Sequence, residues 1–175
     1  MTLSYVLFWF LVHLGVGIIG TLVLLPRVAG VQFFRFNAGF GAALLLIALA
    51  LRPEDLALGS DVQGLALAAL ICSTGAILVY WATIGRVLGW LRPVWLWLAV
   101  LSGVAAIIGQ GLAVSPDGGA LVAGLYVASF LTSAALLGGT STAMILGHWY
   151  LVLPSMEISL LQRIVKFHIG STALR

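Results

Sequence analysis

A chain of 175 residues that is 62% hydrophobic and only 7% charged lies far outside the composition of soluble domains, in which about a quarter of residues are charged. Its net charge of +3 comes from eight basic residues scattered among loops and tail, without the patch or stripe that a nucleic-acid partner requires. A single cysteine, Cys72, excludes an internal disulfide and reads as a small packed apolar residue.

The N-terminal stretch lacks a basic leader and an Ala-x-Ala cleavage site, and its apolar run is longer than a signal-peptide core, so it reads as a retained first span. Five apolar segments meet or approach the length that crosses a bilayer: Leu3 to Leu25, Phe36 to Leu51, Gly64 to Ile84, Val94 to Val114 and Ala120 to Leu153. Lipid offers backbone groups no hydrogen-bond partner, and runs without period-2 alternation satisfy them as helices. Pro26, Pro53, Pro93, Pro116 and Pro154 all fall at segment boundaries, where a missing amide costs least. The expected fold is therefore all-α: a polytopic transmembrane bundle of five spans over residues 1–154, with residues 155–175 as a tail.

Arg27, Arg35, Arg86 and Arg92 mark the loops at one end, with Arg163, Lys166 and Arg175 in the tail. Glu54, Asp55, Asp61 and Asp117 mark the other end, against Arg52 alone. The positive-inside rule then places the N-terminus outside and the C-terminus in the cytoplasm, in a membrane of the bacterial inner type. Trp81, Trp90, Trp95, Trp97 and Trp149, with Tyr80 and Tyr150, gather at the proposed cytoplasmic face as an interfacial belt. A weak internal echo links Arg27-Val28-Ala29-Gly30 with Arg86-Val87-Leu88-Gly89, each followed by a second arginine; this is the mark a two-helix repeat would leave.

The fifth segment is too long for a simple span. About 35 helical residues reach roughly 50 Å against a hydrocarbon core of about 30 Å. It must tilt, bend at Gly138-Gly139, or project. In the tail, Ile158, Leu161, Ile164, Val165 and His168 share one side of a helix and Glu157, Gln162, Arg163 and Lys166 the other. That pattern fits an amphipathic helix in the headgroups, or a lead into a sixth span.

Ionisable groups inside a membrane are costly and become functional candidates. His13 lies mid-span, among Gly15, Gly17 and Gly20, and is expected to take a hydrogen bond from a Ser or Thr of the fifth helix or to bind a cofactor. His148 and Met144 follow Thr140 at i+8 and i+4 and form a chemically sensible pair for copper or haem. The depths of His13 and His148 disfavour a shared iron. Ser133, Thr140 and Gln110, with Ser129 and Asn37, are the candidates for a polar substrate path, or for close helix packing. No nucleophile with its base, zinc motif or phosphate loop occurs, so the sequence points to no catalytic activity of its own.

In length, five spans and number of tryptophans the chain resembles in outline the tryptophan-rich sensory protein (translocator protein) family. Trp95-Leu96-Trp97 after Pro93 does not reproduce that family's clustered Trp and Pro motifs, so the resemblance implies no residue roles. The leading expectation is an accessory or anchor subunit of a larger membrane complex, redox or energy-converting in character, packed against other membrane subunits or its own copies. A haem or quinone could lie between them. The alternatives are a small transporter or channel for a neutral or apolar solute, and a haem- or copper-binding membrane protein.

Overall fold

The computed structural model describes residues 3–53, 61–85, 90–114, 119–152 and 158–175. Among them the chain is all-helical: α1 Leu3–Leu24, α2 Val31–Ala50, α3 Asp61–Thr83, α4 Arg92–Ala113, α5 Gly119–Val152 and α6 Ile158–Ala173, with a 3-10 turn at Arg27–Ala29. The first five are long and apolar enough to cross a membrane.

Helix starts extend past the apolar runs where polar residues suit a helix end. α2 begins at Val31 rather than Phe36 and so includes Arg35, whose guanidinium lies over the Trp81 ring of α3, 5.5 Å from its centroid. α3 begins at Asp61, a carboxylate in the first turn, where the helix dipole favours it. The second half of the internal echo, residues 86–89, lies outside the described residues.

α1 is the hub, packing against α2, α4 and α5 and touching α6. The α1–α2 and α3–α4 hairpins are antiparallel: Gly15 faces Gly41 and Leu45, while Ala66 faces Gly109 and Ser73 faces Gly103. Across the second hairpin the Ser73 hydroxyl donates to the Ala99 carbonyl at 2.7 Å. α5 instead runs parallel to α1, because Trp9 and His13 meet Phe130, Gly17 meets Ala134 and Gly138, and Thr21 meets Thr142.

α5 is one helix of 34 residues that continues through Gly138-Gly139. The two glycines serve close packing on two sides. A Cβ on Gly138 would run into the Gly17 backbone of α1, and one on Gly139 would meet Phe167 and His168 of α6 at 3.4 and 3.5 Å. In lipid there is no hydrophobic gain from pressing two apolar helices together, so such close backbone approach supplies the attraction.

α6 folds back along α5. Its Phe167 and His168 sit at Gly139 and Thr140, while Arg163, one turn earlier, reaches the Leu24 carbonyl at the end of α1 (3.4 Å). That carbonyl is one of those a helix C-terminus leaves unsatisfied, and a cation there also suits the dipole. The buried stripe of α6 is Leu160, Ile164 and Ser171, with Phe167 and His168 half-buried. Ile158 and Val165, expected on the same apolar side as Ile164, are exposed together with Ile169. The apolar sector is wider than one neighbour covers, so α5 takes half of it.

Replacing Gly17 with Leu is expected to cost about 3 kcal/mol or more, because overpacking here meets backbone that cannot yield. The Gly124→Leu variant, where a Cβ would meet nothing within 4 Å, should stay within about 0.5 kcal/mol of the parent. Unfolding in mild detergent measures both.

Candidate functional site

Two of the buried hydroxyls are satisfied within their own helices. Thr74 donates to the Leu70 carbonyl and Ser171 to that of Phe167, each one turn back in its own helix. Besides the Ser73–Ala99 bond across α3 and α4, one side-chain pair joins two helices, and its pairing is not evident from the sequence. Thr21 and Thr142, both fully buried, lie 2.6 Å apart. Thr21 donates its only hydroxyl hydrogen to the Ile18 carbonyl at 2.7 Å, so Thr142 is the donor between them. Two threonines four residues beyond Gly17 and Gly138 on parallel helices were the available signal.

His13 is 6% exposed, and its Nε2 does not take the expected hydrogen bond from a Ser or Thr of α5: it has no hydrogen-bond partner among the described residues. Its neighbour on α5 is Phe130, edge to face with ring centroids 4.9 Å apart, and Phe130 in turn touches Trp9. The imidazole is thus held in an aromatic layer between α1 and α5.

Gln110 is equally enclosed, 5% exposed, and its Oε1 has no hydrogen-bond partner among the described residues. It lines a cavity of about 50 Å3 between α1, α3 and α4, together with Tyr5, Trp9 and Gln63. A space of this size and polarity holds one or a few water molecules. Asn37 is buried in the same way: its Nδ2 donates to the Phe33 carbonyl at 2.9 Å, and its Oδ1 has no hydrogen-bond partner among the described residues.

The remaining candidates face outward. Thr140, Met144 and His148 are all exposed along one side of α5, Met144 at 71%. Thr140 donates to the Leu136 carbonyl at 2.8 Å and lies 3.4 Å from Nδ1 of His168. Ser133 is half-buried on the same helix. His148 lies 18 residues beyond Phe130, the residue level with His13, or roughly 27 Å along the helix, so the two histidines belong to separate places. Thr140 is similarly about 15 Å beyond Phe130, whereas Gln110 shares its cavity with Trp9 on the near side. The structure therefore brings Thr140, Met144 and His148 together on one face and leaves His13 and Gln110 in separate pockets of the core. Among the described residues no group of three or more His, Cys, Asp or Glu is placed to hold a metal ion.

No family model, curated protein or solved structure matches this chain.

Two measurements check the polar contacts. A double-mutant cycle on Thr21→Val and Thr142→Val should return a coupling of about 0.6 to 1.7 kcal/mol, the range for hydrogen bonds between membrane helices. His13→Leu should leave stability unchanged or raise it, since it removes an orphaned buried nitrogen; a loss above about 1 kcal/mol would mean that His13 is held by a group outside this chain.

Proposed function

We propose that this chain is an integral membrane accessory or anchor subunit of a larger complex, redox or energy-converting in character. In this reading it crosses a bacterial-type inner membrane five times, with its N-terminus outside, and the amphipathic α6, expected in the headgroups, instead folds back from the cytoplasmic side along α5. The arginine-bearing ends and the charge-free spans support that orientation.

The observation that carries the reading is the bareness of the first half of the longest helix. From Gly119 to Ser133 no residue of α5 is buried, whereas Ala134, Gly138, Gly139, Thr142 and Leu146 in its second half are. Its outer side is not simply greasy. Ala120, Gly124 and Ala128 repeat at four-residue intervals on the exposed surface, and nothing stands within 4 Å of where a Gly124 Cβ would be. On the inner side of the same helix, small residues in this spacing admit α1 to backbone contact; an outer stripe of the same kind suits a helix from another subunit. Exposed Thr140, Met144 and His148 continue along the helix toward its other end, where α5 extends past the last turn of α1.

A haem- or copper-binding role is the second reading, favoured by Met144 and His148 presenting a thioether and an imidazole side by side to the outside. Such a group would be shared with the partner, and a Soret band or about one equivalent of copper in the purified assembly would support it. A transporter would need one continuous path, and Gln110 and Thr140 open to different parts of the bundle.

Purification in mild detergent tests the leading reading. The chain should migrate with at least one other membrane subunit, and Gly124→Leu should release that subunit while the chain itself stays folded. A monodisperse monomer without a co-purifying subunit or pigment overturns it.

A further inference from the structure

Where α1 and α3 end and α2 and α4 begin, the four helices enclose a cleft of about 250 Å3 that none of the candidates above uses. Its walls include Leu22, Phe34, Ile84 and Trp97, and Tyr80 and Arg92 are the residues with polar side chains among those that line it. The volume lies just below the roughly 300 to 1,000 Å3 of sites for drug-sized ligands, and it suits a single narrow apolar chain better than a macrocycle. An apolar cleft left empty forfeits dispersion contacts on every wall, so a membrane protein has reason to fill it from the solvent it sits in.

Arg92 settles the chemistry of the other end of the occupant. It is the first residue of α4, followed by Pro93, so its side chain stands beside the positive end of the helix dipole, where free amides and a fixed cation together favour an oxyanion. Among the described residues no acidic side chain lines the cleft. Guanidinium binds phosphate through paired hydrogen bonds. Basic pockets between membrane helices are suited to anionic lipid headgroups.

We propose that this cleft is a binding site for one anionic phospholipid, its phosphate held by Arg92 at the start of α4 and one acyl chain running between Leu22, Phe34, Ile84 and Trp97. Because the walls come from both hairpins, the lipid ties α1–α2 to α3–α4. This proposal is independent of any partner on α5.

The test uses the whole chain, delipidated in mild detergent, then offered phosphatidylglycerol or phosphatidylcholine with identical acyl chains, and read by native mass spectrometry and thermal unfolding. One phosphatidylglycerol per chain should be retained at least about tenfold more strongly than phosphatidylcholine, the effect of one charge-assisted hydrogen bond. It should also raise the unfolding midpoint by about 4 °C or more. Arg92→Gln should abolish that preference. Leu96→Trp, at another lining residue, keeps the charge but fills the cleft, and it should lose the lipid as well, which keeps the test decisive if Arg92→Gln does not fold. Equal retention of the two lipids, undiminished phosphatidylglycerol binding by Leu96→Trp, or the same stabilisation by inorganic phosphate alone would each overturn the proposal.

Discussion

The bundle depends on one close contact, the backbone of Gly17 in α1 against Ala134 and Gly138 in α5. Two apolar helices in lipid gain little from mere adjacency, and their attraction comes from packing and from whatever polar bonds the approach allows. Side chains larger than hydrogen would hold these helices apart. Once they meet there, the parallel register follows. Trp9 and His13 fall on Phe130 one turn to one side, and Thr21 falls on Thr142 one turn to the other. Gly139, turned by one residue from Gly138, then offers α6 a seat of its own. A pair of glycines thus joins three helices without breaking the one that carries it.

That arrangement also decides what α5 cannot do. With α1 and α4 on one side and α6 along its second half, the rest of its surface is uncovered. Its small residues repeat at the spacing that the inner face uses for contact. The polar groups divide in the same way. Hydroxyls are largely satisfied by carbonyls in their own helices, whereas His13 Nε2, Asn37 Oδ1 and Gln110 Oε1 are buried without partners among the described residues. Each such orphan costs about 1 to 3 kcal/mol. They sit in different layers of the bundle, which is the pattern of separate local packing solutions and not of a single polar conduit.

The arginine-bearing end has a different character. Arg35 is spread over Trp81, Arg163 reaches the last carbonyl of α1, and Arg92 stands at the mouth of a four-helix cleft. In each case the charge is placed near a helix end, where long cationic side chains sit at a membrane boundary. A phospholipid in the cleft would extend the same logic inward.

By itself, the sequence determined the helical class, the number of long apolar helices and, within a few residues, their ends. Lipid leaves the backbone no alternative to internal hydrogen bonding, and Pro26, Pro53, Pro93, Pro116 and Pro154 mark where that bonding can stop. It also identified Gly138-Gly139 and the polarity of α6, but not their use: a glycine pair reads equally as a bend or as a contact until a neighbour is present. Only the tertiary structure decided that Phe130 and not a hydroxyl meets His13, that Thr21 and Thr142 find each other, that Met144 and His148 face out, and that Arg92 borders a cleft. These are questions of register and rotation between helices that are apolar all round, and a helix without a distinct polar face carries no periodic signal of which side its neighbour will take.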